Sequence, residues 1–395
     1  MVVIFAVADK MNFHIFSFCL VLALVFSVET TSALEYIHFR HHGKERSEEG
    51  RIVLEAPDGF AFESRDGQYF VITWENLITR KSDDTPFIPY TKTEMLERLK
   101  NEFPPDNGFY YLDMYDPFII VYTTSRAFAN WYGRLLEKLH KEYVLYWNDR
   151  GVGLTKTEFS MVVVVQSSEE RFRQYTGQDG VKMLKEQCAY YNKLTNRIAM
   201  YDMSGKQAFR EGNQRRATSG DIREFLTQPG SYSNIMAVIH EAVHQVGFNT
   251  GMHPRFAPNP VWICEGLAML HEVPDTKSSV GWTRGNPHVN RYRMEQLNRY
   301  LKKPQLEAPI QNIIKEDKLF NRSDTALESY ALAWGLTYYL VKKRPKELAA
   351  YLEILQEKKS DSDDSDEIRI REFESCFGND WQQLYKEFFD FLRRL

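Results

Sequence analysis

The sequence has little excess charge of either sign and no long basic stripe. Its 50 Lys and Arg residues stand against 54 Asp and Glu residues, which gives a formal net charge of −4. Binding to nucleic acid depends on clustered positive charge, so this composition gives no reason to expect such a partner. Hydrophobic residues are plentiful at 43%, and the 395-residue length predicts two or three domains or subdomains.

An almost unbroken apolar run near the N-terminus, residues 15–28, is too short for a comfortable membrane span. It is followed by Thr31-Ser32-Ala33, which fits a small-x-small cleavage site. We therefore predict a secretory signal peptide over residues 1–33. The mature protein is expected to be secreted or periplasmic, with no stable membrane span. An uncleaved N-terminal anchor is the alternative.

The sequence offers little for a disulfide framework or for a calcium site. Removal of residues 1–33 leaves Cys188, Cys264 and Cys376. An odd count in an exported protein allows one disulfide and one free thiol, and the sequence leaves the pairing open. The acidic segment 360–367 lacks the glycine and the spacing of a calcium loop, so we predict a solvated linker there.

Turn and strand patterns divide the mature chain near Pro104-Pro105. Three short β-branched and aromatic runs, residues 51–55, 60–63 and 67–74, are separated by Asp-Gly turns and predict a meander. A helix over residues 93–103 ends before the diproline. We predict a small β-rich module over residues 34–105 and a second domain over residues 106–395.

The second domain begins with predicted strands and ends with predicted helices. Its predicted elements are strands at residues 116–124 and 161–166, a helix at 125–147, a hairpin at 189–202, and helices at 289–301, 325–343, 345–358 and 381–395. This order predicts an α+β fold. The sheet lobe would cover residues 106–248, and the helical lobe residues 249–395.

One stretch, residues 235–248, carries a chemical signature. Its apolar residues recur at intervals of three and four, which predicts an amphipathic helix with Ser233 as its N-cap. Within it, His240, Glu241 and His244 form a His-Glu-x-x-His pattern. The two imidazoles lie one turn apart on one face, where both can reach one tetrahedral ion. Glu241 would then point beside them at the open position.

A catalytic zinc ion requires a third protein ligand in addition to the two histidines. Downstream, the apolar segment 261–270 contains a single carboxylate, Glu265. A carboxylate inside such a run is costly to bury unless it is paired or bound to a metal. We therefore predict Glu265 as the third ligand, with His253 and His271 as weaker candidates.

These residues resemble the gluzincin metallopeptidases, the thermolysin and membrane alanyl aminopeptidase group. Gluzincins follow the His-Glu-x-x-His motif with a helix that often reads Trp-x-x-Glu-Gly-x-Ala, matched here by Trp262, Glu265, Gly266 and Ala268. The metzincin pattern fails because Thr250 stands where its third histidine is required. Residues 110–395 also resemble an uncharacterised family of exported bacterial proteins with this zinc signature and a terminal Phe-Gly-x-Asp helix.

The gluzincin resemblance implies further roles. The helix 328–340 is similar to one in aminopeptidase-like gluzincins whose tyrosine hydroxyl points at the scissile carbonyl, and Tyr330 occupies the comparable place. Packing in a core stripe is the alternative for Tyr330. The hairpin before the motif helix would hold substrate backbone along residues 190–192 or 196–198, although an ordinary core hairpin is as plausible. The strand that aminopeptidases use to hold a free amino terminus is not evident.

Together these features predict an exported zinc metallopeptidase. His240, His244 and Glu265 would bind the ion, Glu241 would act as general base, and Tyr330 would steady the oxyanion. The expected partner is a peptide or protein substrate. Two alternatives stay open: a non-peptidase zinc hydrolase acting on a cell-envelope amide, and a catalytically silent exported binding or scaffold module.

Overall fold

The computed structural model describes residues 33–181, 183, 187–203, 219–228, 230–273, 289–302 and 308–395. Within these residues the chain forms two five-stranded sheets and twelve α-helices, which confirms the predicted α+β class. The predicted signal peptide lies outside the described residues, except for Ala33. Among the helices of the described ranges, none has the length and apolar character needed to cross a membrane.

The first sheet is antiparallel and contains the three predicted strands and two more; its first four strands form a meander, and the fifth pairs with the first. Its strands are β1 (Ala33–His41), β2 (Lys44–Ala56), β3 (Gly59–Ser64), β4 (Tyr69–Thr73) and β5 (Leu77–Pro86), in the order β4-β3-β2-β1-β5. Alternate residues of neighbouring strands, such as Phe39, Phe62 and Phe70, share one buried face. That face gives the sheet a small hydrophobic core of its own.

The second sheet is mixed, and helices cover both of its faces. Its strands are β6 (Tyr110–Tyr115), β7 (Phe118–Tyr122), β8 (Met161–Gln166), β9 (Ala189–Asn192) and β10 (Arg197–Tyr201), in the order β6-β7-β8-β10-β9. The pairs β7-β8 and β8-β10 are parallel, and β9 is an antiparallel edge strand. The four consecutive valines of β8 alternate between the two cores, as expected for a strand buried on both sides.

Three helices accompany this sheet: α1 (Lys92–Glu102), α2 (Arg126–Asn148) and α3 (Glu169–Gln178). Although α1 falls within the predicted 34–105 module, its Met95 and Leu99 pack against the second sheet. Polar contacts also join the two sheets. Arg98 of α1 donates a 2.7 Å hydrogen bond to Asp66, and the backbone N–H of Tyr69 donates one of 2.7 Å to the carbonyl of Leu194.

The remaining described residues are mainly helical. They form α4 (Ser219–Thr227), α5 (Ser231–Asn249), α6 (Val261–His271), α7 (Arg291–Leu301), α8 (Pro309–Lys315), α9 (Ala326–Lys343), α10 (Pro345–Gln356), α11 (Asp366–Phe377) and α12 (Trp381–Leu392). The four later predicted helices correspond to α7, α9, α10 and α12. In α12 the stripe of Leu384, Phe388 and Leu392 is buried, but Leu395 lies beyond the helix and is exposed.

Some local predictions are wrong. Ser233 lies inside α5, which begins at Ser231 after Gly230 as its N-cap. The acidic segment 360–367 is not a solvated linker throughout, because Asp364 pairs with Lys358 and Arg369, and α11 begins at Asp366. The three cysteines that follow the predicted signal peptide are all free thiols.

Candidate metal centre

The motif helix α5 lies between the second sheet and α6. On its sheet side, the Gln245 amide donates hydrogen bonds to the carbonyl oxygens of Val162 and Asn196, at 3.2 and 2.8 Å. His240 and His244 lie on another face, one turn apart, and their rings meet edge to face with centroids 4.8 Å apart. The sheet contacts fix the rotation of α5, so both imidazoles point toward α6.

The structure brings His240, His244 and Glu265 together. The Nε2 atoms of the two histidines are 3.2 Å apart, and that of His240 lies 3.0 Å from Oε2 of Glu265. His244 Nε2 lies 3.4 Å from the other oxygen of Glu265. One ligand atom from each residue fits within 4.8 Å of the others. This buried group can hold a metal ion.

The other two candidate histidines are placed elsewhere. Nε2 of His271 accepts a hydrogen bond of 3.1 Å from the Trp147 indole, and its ring packs against Tyr143 and Tyr146. His253 is buried beside Phe248, with ring centroids 5.8 Å apart. Burial lowers the pKa of each of these two histidines to about 3, which keeps both rings neutral.

Helix α6, which carries Glu265, lies very close to α9 at Gly266. A Cβ atom at Gly266 would lie 2.0 Å from Oγ1 of Thr337 and 3.0 Å from the carbonyl oxygen of Ala333. No side chain larger than hydrogen fits there unless Thr337 or the backbone of α9 shifts. The glycine after the carboxylate therefore sets how closely α9, which carries Tyr330, approaches the helix that carries Glu265.

A second buried carboxylate, Glu272, lies behind His240. Its Oε2 is 2.8 Å from Nδ1 of His240, while its Oε1 accepts a 2.6 Å hydrogen bond from Asn290 and a 3.4 Å contact from Nε of Arg293. A carboxylate on Nδ1 orients the ring so that Nε2 faces the metal. The sequence prediction missed Glu272, the C-cap residue of α6. Its signal was a spacing of seven residues from Glu265, about two helical turns.

Contacts among these carboxylates and histidines shift the pKa values of His240 and Glu265. Burial alone would lower the pKa of His240, but hydrogen bonds with Glu265 and Glu272 raise it to about 10. Burial would raise the pKa of Glu265, whereas the charge of His244 and the hydrogen bonds with both histidines lower it below its usual range. Glu265 is therefore a carboxylate at neutral pH, and a proton on His240 would compete with a metal ion.

Glu241 lies next to the ligand group on the side of the edge strand. Its Oε2 accepts a 2.9 Å hydrogen bond from the backbone N–H of Tyr191 in β9. Burial raises the pKa of Glu241, and the nearby charges of His240 and His244 lower it only in part. A carboxylate with a raised pKa suits proton transfer near neutral pH.

Tyr330 is buried near the same carboxylates. Burial raises the pKa of Tyr330 well above its ordinary value, and the charges of Glu265 and Glu241 add to this effect. The guanidinium of Arg293 lies 5.7 Å from the centre of the Tyr330 ring. The hydroxyl thus keeps its proton and can act as a hydrogen-bond donor.

Comparison with known families gives one match. A family model described as Protein of unknown function (DUF1570) matches residues 234–360. The match covers most of α5 together with α6 and α9, the helices that carry the ligand group, Glu241 and Tyr330. A search of curated proteins finds no match to the chain. The description of this family names no reaction, substrate or metal.

Proposed function

We propose that the protein is an exported zinc-dependent hydrolase of peptide bonds. The observation that carries this proposal is the convergence of His240, His244 and Glu265 with Glu241 beside them. Two imidazole nitrogens and one carboxylate form the ligand set of a catalytic zinc ion, which leaves one coordination position open. The buried Glu272 on the far side of His240 supports a metal role for this ring.

Zinc fits this donor set better than magnesium or calcium do, because those ions prefer oxygen ligands alone. His240, His244 and Glu265 would hold the ion. When bound, zinc would polarise the scissile carbonyl and lower the pKa of a water molecule at the open position. Proton transfer and stabilisation of the oxyanion are carried out by side chains of the protein.

Glu241 and Tyr330 divide the remaining chemistry. Glu241 takes a proton from the attacking water as the new carbon–oxygen bond forms. It then delivers this proton to the departing nitrogen as the carbon–nitrogen bond breaks. The Tyr330 hydroxyl donates a hydrogen bond to the oxygen that gains negative charge. Water and one amide are consumed, and one carboxylic acid and one amine are formed.

Strand β9 supports a peptide as the substrate. It is an edge of the second sheet within the described residues, and it lies directly against the ligand-bearing helix through the contact between Tyr191 and Glu241. The N–H of Tyr191 points away from the paired strand β10, toward the metal centre. An extended peptide can add to such an edge through main-chain groups other than the Tyr191 N–H, which Glu241 already accepts, and this would set its carbonyls beside Glu241.

The experiment compares the zinc-loaded parent with Glu241→Gln and with Glu170→Gln, a change at an exposed residue of α3. Hydrolysis of a mixture of peptides is followed by mass spectrometry. The parent and Glu170→Gln should cleave peptides, whereas Glu241→Gln should keep its zinc and lose activity by roughly 10³-fold. Cleavage of cell-wall amides without cleavage of peptides would favour the non-peptidase hydrolase. Equal activity in Glu241→Gln would refute the proposed base.

A further inference from the structure

A cavity of about 510 Å³ lies beside the metal centre, between the first sheet and the C-terminal end of α5. Phe248 lines this cavity one helical turn after His244. The Phe248 ring lies nearly parallel to the His244 imidazole, with centroids 6.5 Å apart and an interplanar angle of 26°. On another side it stacks with Tyr191 of β9 at 5.9 Å. The Phe248 ring therefore lies between the cavity and the candidate metal centre.

The wall opposite Phe248 comes from strand β2. Val53 and Leu54 both line the cavity and are 42% and 41% exposed, although consecutive strand residues normally face opposite sides. A register shift between Ile52 and Leu54 explains this, because a bulge lets neighbouring residues turn to one side. Phe159 and Phe256 add aromatic surface to the cavity. Burial of these apolar side chains by a bound ligand would be favourable, because it removes apolar surface from water.

Glu63, Glu158 and Lys358 of the cavity wall are paired within the protein, whereas Lys359 and Asp361, which also line the cavity, are exposed. Glu63 accepts hydrogen bonds of 2.9 Å from Arg51 and 2.7 Å from Arg255. The ammonium of Lys358 lies 2.8 Å from Asp364. The paired groups therefore offer little to a charged ligand, whereas the apolar wall offers contact area to an uncharged one.

Contacts with the loop after α5 also hold the first sheet, which forms this wall, in a fixed position relative to α5. Arg255, which bonds Glu63 of β3, follows α5 by a short loop. Its neighbour Phe256 stacks on Tyr69 of β4, with ring centroids 3.5 Å apart. These contacts between the first sheet and the loop after α5 make the sheet a rigid side of the cavity.

We propose that this cavity is a specificity pocket that receives a bulky apolar side chain of the substrate, aromatic or branched. The inference rests on the proposed function, and it names the class of peptide that the site selects. An extended chain advances about 3.3 Å per residue, so the distance from His244 to Phe248 corresponds to about two residues. The selected side chain therefore lies about two residues from the cleaved bond.

Leu54→Lys tests the pocket, and Ile78→Lys is the matched control. Ile78 lies on β5 of the same sheet, is 39% exposed and does not line the cavity. The zinc-loaded full chain is given a peptide library, and cleaved products are identified by mass spectrometry. The parent and Ile78→Lys should prefer Phe, Tyr or Leu at one position about two residues from the cleaved bond.

In Leu54→Lys, kcat/KM for these preferred peptides should fall at least about tenfold, while peptides with Ala at that position should change less than about twofold. Val53→Lys should behave in the same way, since Val53 belongs to the same wall. A parent without any side-chain preference, or a Leu54→Lys variant that keeps the preference of the parent, would overturn the proposal.

A binding measurement separates failure of the pocket from failure of the proposed function. Calorimetry compares N-acetyl-Phe-Phe-amide with N-acetyl-Ala-Ala-amide on zinc-loaded Glu241→Gln, with and without Leu54→Lys. The Phe compound should bind at least about tenfold more tightly, and Leu54→Lys should remove this difference. If no peptide is hydrolysed but this result holds, the pocket stands and the peptidase proposal falls. Equal binding of the two compounds would overturn the pocket.

Discussion

Nδ1 of His240 lies 2.8 Å from Oε2 of Glu272, the C-cap residue of α6, which follows Glu265 by seven residues. Helix α6 and its C-cap residue thus supply both a carboxylate of the candidate metal centre and a carboxylate that holds one of its imidazoles. Glu272 is in turn held by Asn290 and Arg293 at the beginning of α7. Three helices cooperate to fix a single ring.

Replacement of Glu272 by Gln should weaken metal binding without removing any ligand. We expect zinc affinity to fall about 10- to 100-fold, because His240 would lose the negative charge that orients its ring and raises its basicity. Competition with a fluorescent zinc chelator measures this. Glu353→Gln, a change at an exposed position of α10, is the control and should bind zinc like the parent. An unchanged affinity in Glu272→Gln would exclude the orienting role.

Replacement of Tyr330 by Phe removes the proposed oxyanion donor and keeps the ring. We expect kcat to fall roughly 10²-fold with KM changed less than about twofold, because the lost hydrogen bond forms mainly in the transition state. Steady-state kinetics on a cleaved peptide provide the measurement. Tyr338→Phe, on the same helix, should retain the kcat of the parent. A Tyr330→Phe variant with full kcat would leave Tyr330 with a packing role alone.

Gly266→Ala should destabilise the protein. The added methyl group would meet Oγ1 of Thr337 at 2.0 Å, and overpacking of this kind costs about 1–3 kcal/mol. Urea unfolding monitored by circular dichroism measures the free energy of unfolding. Gly153→Ala, where a Cβ meets nothing within 4 Å, should change it little. Recovery of part of the loss in Gly266→Ala with Thr337→Ala would locate the clash, and full stability of Gly266→Ala alone would contradict it.

Asp66 should make the fold sensitive to acid. Burial would raise the pKa of Asp66, but the charges of Arg98 and Arg197 lower it from 3.8 to about 2. Because the folded pKa is the lower one, the stabilisation is complete above about pH 4. It is lost as the pH falls toward 2, and it amounts to about 2 kcal/mol.

Asp66→Asn should therefore lower the free energy of unfolding at pH 7 and flatten its decline between pH 4 and 2. Urea unfolding at several pH values provides the measurement. Asp84→Asn, at an exposed position of β5, should follow the parent throughout. An Asp66→Asn variant with the pH dependence of the parent would show that Asp66 does not couple the two sheets electrostatically.

The convergence of His240 and His244 could be predicted from sequence because helix geometry fixes their spacing. Four residues separate His240 from His244, so they share a face wherever the helix lies. Glu265 could be inferred because an isolated carboxylate in an apolar segment needs a partner. Glu272 could not be inferred in the same way, since its partners Asn290 and Arg293 come from the beginning of α7, and these are tertiary contacts.

The missed elements have weak periodic signals. Strand β5 is exposed along nearly all of its length and reads as charged and polar, so it lacks the alternation that identifies a half-buried strand. Helix α11 buries only Arg369 and Phe373, and charged residues fill most of its surface. Pairing with β1 determines the structure of β5, and packing against α8 and α10 determines that of α11. The local sequence pattern alone does not. The bulge in β2 that shapes the cavity wall has the same origin.

The zinc content of the purified chain, measured by mass spectrometry beside His244→Ala and Glu265→Ala, tests the central claim most directly. We expect about one zinc ion per parent chain and a large loss in both variants, because each removes one of three protein ligands. A parent chain that stays free of zinc after zinc is supplied would contradict the metal centre, and with it the hydrolase proposed here.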